Sequence, residues 1–255
     1  MALLDIQLLS KSFGGLQAVG EVSFSVPQGA IKAVIGPNGA GKTTLFNLIT
    51  GNLRSDSGKV LFQERPIQNM PSHKIAALGL SRTFQNIKMF HGMTALENVM
   101  VGRHTMSRAG FWGGMLNLPW ARREEKEIRA KSLELLERLG IEKLADNDAA
   151  SLAFGQQRAV ELARALASEP TVLLLDEPAA GLNIYETAEL ARLICTIRDM
   201  GITIVLVEHD MSLVMDISDD IVVLSFGQKI AEGTPTEIQG NKEVIQVYLG
   251  DDSDA

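Results

Sequence analysis

The sequence predicts an α/β protein whose sheet is mainly parallel, and three stretches lead to that class. Residues 30–35 are a nearly continuous apolar run, residues 36–44 a glycine-rich loop, and residues 45–49 an apolar stretch, in the order strand, loop, helix. Residues 172–175 form a second continuous apolar run and residues 202–207 a third, with a helical stretch around 185–199 between them. Apolar runs without alternation fit strands covered on both faces, as in a parallel sheet flanked by helices.

The loop carries the first chemistry. Gly36-Pro37-Asn38-Gly39-Ala40-Gly41-Lys42-Thr43-Thr44 places three glycines where successive backbone N–H groups can turn inward toward an anion. The helix that follows aims its partial positive end at the same point. In this pattern Lys42 reaches the β- and γ-phosphates of a nucleotide, and the Thr43 hydroxyl ligates Mg²⁺.

Bulk properties narrow the partners. A length of 255 residues suits one large domain, or a core with a subdomain, and leaves ample chain for a hydrophobic interior. The net charge of −7 argues against a strongly basic nucleic-acid surface. A single cysteine, Cys195, excludes an internal disulfide and suits a reducing compartment as a buried structural thiol. The N-terminus lacks a basic leader, and no apolar run approaches the roughly 20 residues needed to span a bilayer, so membrane work would come from docking.

In chain order, residues 2–9 and 19–26 read as strands, with Ser12-Phe13-Gly14-Gly15 as a loop between them. An exposed aromatic on that loop could stack on a base, although a lone Phe13 is more often a core residue. Residues 59–62 read as another strand and 71–78 as a short helix begun by Pro71 and ended near Gly79. Residues 80–86 are strand-like with a polar end, and 94–101 helical. Residues 103–120 read as a long irregular insertion containing Phe111, Trp112 and Trp120, either an exposed docking surface or an internal patch. From Arg122 the pattern is helical, with Ile128, Leu135, Leu136 and Leu139 on one face, and Gly140 ends it. The acidic tail 251–255 reads as frayed.

Asp176 and Glu177 follow the apolar run 172–175. Carboxylates at the carboxyl end of a buried strand, in a protein with a phosphate loop, are placed to handle Mg²⁺ (Asp176) and an attacking water (Glu177). Residues 151–158, Ser-Leu-Ala-Phe-Gly-Gln-Gln-Arg, open a helix just before that strand.

Together these motifs resemble the ATP-binding subunit of ABC transporters over residues 3–250. In that resemblance Phe13 is the adenine-stacking aromatic, residues 36–43 the Walker A loop, and Gln85 the Q-loop glutamine, which touches both metal and reaction. Residues 152–156 are the signature, with Ala153, Gly155 and Gln156 as nucleotide contacts. Residues 172–177 are the Walker B strand with the catalytic Glu177, residues 179–183 the D-loop, and His209 the switch histidine. Thr83-Phe84-Gln85-Asn86, residues 94–103, the aromatic insertion and residues 154–158 look most like the ATPases of bacterial branched-chain amino acid importers of the leucine, isoleucine and valine type. Lipopolysaccharide-export ATPases share much of this framework, and a soluble ABC ATPase is the other alternative. A GTPase is disfavoured, since Asn241-Lys242-Glu243-Val244 lacks the final aspartate of a guanine selector.

The resemblance implies a P-loop NTPase core with an antiparallel β subdomain, residues 1–86 and 167–255, and an inserted helical subdomain, residues 87–166. It implies ATP hydrolysis with ATP and Mg²⁺, the metal being held by Thr43, Gln85 and Asp176. The implied partners are transmembrane permease subunits, a second ATPase subunit and an extracytoplasmic substrate-binding protein, at the cytoplasmic face of the bacterial inner membrane. Two departures stand out: Ala153 replaces the signature serine, followed by Phe154 where glycine is common, and Asn183 replaces the D-loop aspartate. They suggest a non-identical ATPase partner, because in this family the signature caps the ATP of the opposite subunit.

Overall fold

The computed structural model describes residues 2–83, 87–103 and 119–249. The chain opens with a long antiparallel hairpin, β1 (Ala2–Phe13) and β2 (Leu16–Pro27). The strands run past the expected 2–9 and 19–26, so the loop expected at 12–15 shrinks to Gly14 and Gly15. Phe13 is the last residue of β1, paired with Leu16 across a two-residue Gly14-Gly15 turn. The alternation that marks a strand slips at two residues with left-handed φ, Leu8 (+47°) and Glu21 (+52°). At Leu8 the register moves from Ile6↔Phe24 to Leu9↔Val22, and at Glu21 from Leu9↔Val22 to Lys11↔Val19, which hides the full strand from a period-2 search.

Next come β3 (Ile31–Ile35), α1 (Lys42–Ile49), β4 (Ser57–Phe62) and the short β5 (Arg65–Pro66). The hairpin and β4–β5 form one antiparallel sheet in the order β2-β1-β4-β5. Beyond it lie α2 (Ser72–Ala77), β6 (Leu80–Arg82) and α3 (Ala95–Gly102), whose start is closed by a reciprocal cap between Thr94 and Glu97. The charged helix α4 spans Pro119–Arg138, so Pro119 and Trp120, expected to be irregular, are helical. Proline at a first helical position has no N–H to leave unsatisfied, which is why the helix can begin there.

The second half is α5 (Phe154–Leu166), β7 (Val172–Asp176), α6 (Ile184–Asp199), β8 (Thr203–Val207), α7 (Met211–Ile217), β9 (Asp220–Ser225), β10 (Gln228–Gly233), α8 (Pro235–Gln239) and α9 (Lys242–Leu249). The second sheet has the order β10-β9-β3-β8-β7-β6 and is parallel except for β10. Its inner strands β3, β7, β8 and β9 are buried on both faces. From β3, Val34 packs with the antiparallel sheet and α1, whereas Ile31, Ala33 and Ile35 pack with α3, α5, α6 and α7. Two clusters share one sheet, and the order β3-β8-β7 brings the carboxyl ends of three buried strands side by side. A crevice outside such an edge is where open α/β sheets take ligands. Phe84, Gln85, Asn86, Phe111 and Trp112, most of the 103–120 insertion and the tail 251–255 lie outside the described residues.

Candidate nucleotide site

The loop between β3 and α1 folds as its glycines require. Gly36, Gly39 and Gly41 have φ of +151°, +83° and +99°. Two are also sterically locked: a Cβ on Gly41 would enter the Ala18 carbonyl oxygen, and one on Gly36 the Leu224 carbonyl oxygen. Only glycine lets β2 and β9 approach this closely. The Gly227 N–H donates to the Ala40 carbonyl at 3.1 Å and the Gly20 N–H to the Gly227 carbonyl at 2.8 Å, so the loop, β2 and the β9–β10 turn are tied together.

Lys42 begins α1 and turns back over the loop, donating from Nζ to the carbonyls of Gly36 (2.6 Å) and Pro37 (3.0 Å). Burial pulls its ammonium below the ordinary 10.5, against the pull of Glu177 and Asp176. A buried cation held by loop carbonyls is prepared for an anion. Lys42, Asn38, Gly39, Ala40, Gly41, Thr43 and Thr44 line a cleft of 410 Å³ shared with Glu177, Phe13, Leu16, Gln17, Ala18 and Phe226. Phe13 is 48% exposed there, not in the core.

Asp176 is the last residue of β7 and is buried; its Oδ2 accepts from Arg82 Nη2 at 2.6 Å. Arg82 also donates to Asn47 Oδ1 of α1 at 2.7 Å and lies over the Phe46 ring. Removing one member of such a buried pair typically costs about 3–5 kcal/mol. With Oδ2 engaged, the other Asp176 oxygen and the exposed Thr43 hydroxyl are two oxygens open to a cation beside the loop. A short set of hard oxygens suits Mg²⁺, which keeps waters and takes phosphate oxygens.

Glu177 stands just beyond β7, not in it, with a left-handed φ of +46° and its N–H donated to the Val207 carbonyl at 2.9 Å. A non-glycine residue in that conformation costs about 1–2 kcal/mol, and such strain concentrates at working positions. His209 is exposed, and its Nδ1 lies 4.0 Å from Glu177 Oε2 and 3.7 Å from Glu208 Oε2. Glu208 follows β8 and is fully buried. Its carboxylate accepts from the N–H groups of Ala179 (2.7 Å), His209 (2.9 Å) and Asp210 (3.3 Å), tying the two segments that follow β7 and β8.

Thus Phe13, the loop, Asp176, Glu177 and His209 gather at one edge of the sheet. Ala153, Gly155 and Gln156 are not among the residues that line that cleft. They sit at the start of α5, where Gly155 faces Glu186 and Phe154 lies against Gly181. Ala153 offers no side-chain oxygen to the new helix; its own N–H donates to Gln156 Oε1 at 3.2 Å. Asn183 caps α6, with Oδ1 accepting from the N–H groups of Tyr185 (2.9 Å) and Glu186 (3.1 Å). An amide oxygen fills that capping role without the charge of an aspartate.

Four contributors escape the sequence: Arg82, Glu208, Leu16 and Phe226. A glutamate following the apolar run of β8 repeats the pattern of Asp176 and Glu177, whereas Arg82 ends the three-residue strand Leu80-Ser81-Arg82 with no apolar run to mark it. Leu16 and Phe226 have no local signal, because only tertiary folding carries their turns to the cleft.

Residues 19–180 match the ABC transporter family, and residues 228–254 match the branched-chain amino acid ATP-binding cassette transporter family. The chain is 44% identical over 250 residues to the high-affinity branched-chain amino acid transport ATP-binding protein BraF of Pseudomonas aeruginosa, and 43% identical to LivG of Escherichia coli, with 98% of each chain covered in both cases. Among solved structures it resembles the ADP conformation of an ATP-binding cassette of an ABC transporter (TM-score 0.86, 33% identity, 98% of this chain and 99% of that one). It also resembles a nucleotide-free cassette (TM-score 0.85, 32% identity, 98% and 100% covered). The chain belongs to the ABC transporter family as one of its ATP-binding, ATP-hydrolysing cassettes, in the branch of the branched-chain amino acid transport ATP-binding proteins.

Proposed function

We propose that this chain is the subunit that hydrolyses ATP to drive import of branched-chain amino acids through membrane permease subunits. The observation that carries the proposal is the convergence of Lys42, Asp176, Glu177 and His209 at the edge where three buried strands end. The names borne by its relatives in Pseudomonas aeruginosa and Escherichia coli supply the substrate class. No helix among the described residues is long and apolar enough to cross a membrane, which fits attachment through permeases at the cytoplasmic face of the inner membrane.

In this reading the backbone of residues 36–44 holds the phosphates, Lys42 leaves its loop carbonyls for the β- and γ-oxygens, and Phe13 meets the base. Thr43, Asp176 and Gln85 would hold Mg²⁺, which would supply positive charge to the phosphates. Glu177 accepts the proton of the attacking water while His209 orients the site. Ala153, Gly155 and Gln156 serve the ATP of a second cassette, so residues 87–166 act as a unit that carries the signature toward its partner, and residues 1–86 with 167–255 remain as the core.

Ala153 cannot donate a side-chain hydrogen bond, so the site that borrows this signature relies on backbone N–H groups at the start of α5. That favours a non-identical ATPase partner whose own signature serves Lys42 and Glu177, within a system completed by an extracytoplasmic substrate-binding protein. Purification of the intact membrane complex tests the assembly: permeases and a second, different ATPase are expected. Two copies of this chain and no other ATPase would overturn the asymmetric arrangement.

A further inference from the structure

The β9–β10 hairpin turns on two residues, Phe226 and Gly227, between the paired Ser225 and Gln228. Both have left-handed φ, +46° and +80°. Two-residue turns of this hand favour Asn or Gly, because a Cβ is strained there and a bulky side chain more so. Phe226 is nonetheless a large aromatic, and at 90% it is the most exposed large hydrophobic among the described residues. Neither backbone preference nor burial accounts for it, and a residue that violates both is a candidate for ligand contact.

Its position narrows the ligand. The turn is fastened to the phosphate loop through the Gly227 N–H and to β2 through the Gly227 carbonyl, and Phe226 lines the same cleft as Phe13 and Leu16. Phosphates call for N–H donors and cations, which the loop and Lys42 provide. Apolar and aromatic side chains serve the other part of a nucleotide, the flat base, through stacking.

We propose that Phe226 is a base-binding residue, supplying a second aromatic contact to the purine of the bound nucleotide beside Phe13. The inference rests on the loop of residues 36–44 being the phosphate cradle. The test is calorimetric titration with ATP and with tripolyphosphate, which has the phosphates but no base. Phe226→Asn suits the turn's backbone and should leave the melting temperature unchanged or higher. Its Kd for ATP should rise about five-fold or more, while tripolyphosphate affinity stays within about two-fold. Phe226→Tyr should restore ATP affinity. An unchanged Kd for ATP in Phe226→Asn, or equal losses for ATP and tripolyphosphate, would overturn the proposal. Lys42→Ala separates the two levels: it should lose both ligands, and if it keeps both, the cradle itself is wrongly assigned.

Discussion

Gly41 and Gly39 occupy the same loop with left-handed φ values of +99° and +83°, yet the same substitution should affect them differently. At Gly39 an added methyl meets nothing within 4 Å, so Gly39→Ala carries only the conformational cost, about 1–2 kcal/mol. At Gly41 the methyl enters the Ala18 carbonyl oxygen, and restoring an ordinary contact requires β2 to retreat by about 1 Å. That movement strains the Gly20–Gly227 and Gly227–Ala40 hydrogen bonds, each contributing about 0.5–1.5 kcal/mol. Gly41→Ala should therefore cost about 2–5 kcal/mol. At about 2–4 °C per kcal/mol for a chain of this size, the melting temperature should fall by about 4–20 °C, against about 2–8 °C for Gly39→Ala. Thermal unfolding with and without nucleotide reads both effects, and ATP affinity should collapse only where β2 has moved away from the loop. Equal destabilisation by the two variants would refute the claim that close approach of β2, not φ alone, demands glycine at 41.

Arg82→Ala should destabilise the nucleotide-free protein by about 3–5 kcal/mol by stranding the buried Asp176; chemical denaturation checks this, and a loss under about 1 kcal/mol would deny the pair its role. Glu208→Gln replaces an anion that accepts three N–H groups, so stability should fall by about 1–3 kcal/mol and hydrolysis should slow as Ala179 and His209 lose their anchor; unchanged turnover contradicts this. If Lys42, held below its ordinary 10.5 by burial, takes phosphate oxygens on binding as proposed, its pKa is higher with nucleotide than without. ATP affinity should be full below the free-state pKa and decline as pH rises through it, with a proton taken up on binding in that alkaline window. In the same window the unfolded chain binds more protons than the nucleotide-free fold, so stability of the latter rises with pH. Calorimetry in buffers of different ionisation enthalpy measures the uptake, and an affinity that climbs with alkaline pH contradicts it.

The parallel core was legible because buried parallel strands leave an unmistakable trace. The runs at 31–35, 172–176 and 203–207 lack alternation, and the candidate site residues sit at or just beyond their ends, in the glycine loop, Asp176 and Glu177. The hairpin was only half legible, since the bulges at Leu8 and Glu21 each shift the alternation and Phe13 then falls outside the visible pattern. Arg82 and Glu208 act through contacts across neighbouring strands, which a linear pattern does not encode. Phe226 is harder still: its turn is unremarkable along the chain, and its significance arises from a conformation and a cleft that exist only in the fold. Ala153 and Asn183 show the reverse case. Their departures are plain in the sequence, but the structure distinguishes them, since Asn183 still caps α6 while Ala153 leaves α5 without a side-chain cap.

The most direct test of the central claim is made with the complete transporter in proteoliposomes containing ATP, by measuring hydrolysis and uptake of labelled leucine together for the native complex and for Glu177→Gln in this chain. ATP binding should persist in the variant while this chain's share of hydrolysis is lost and leucine uptake falls with it, because the carboxylate proposed to accept the proton of water is gone but Lys42 and the loop remain. Native rates of both hydrolysis and uptake in Glu177→Gln would contradict the assignment of this edge of the sheet as the site that powers transport.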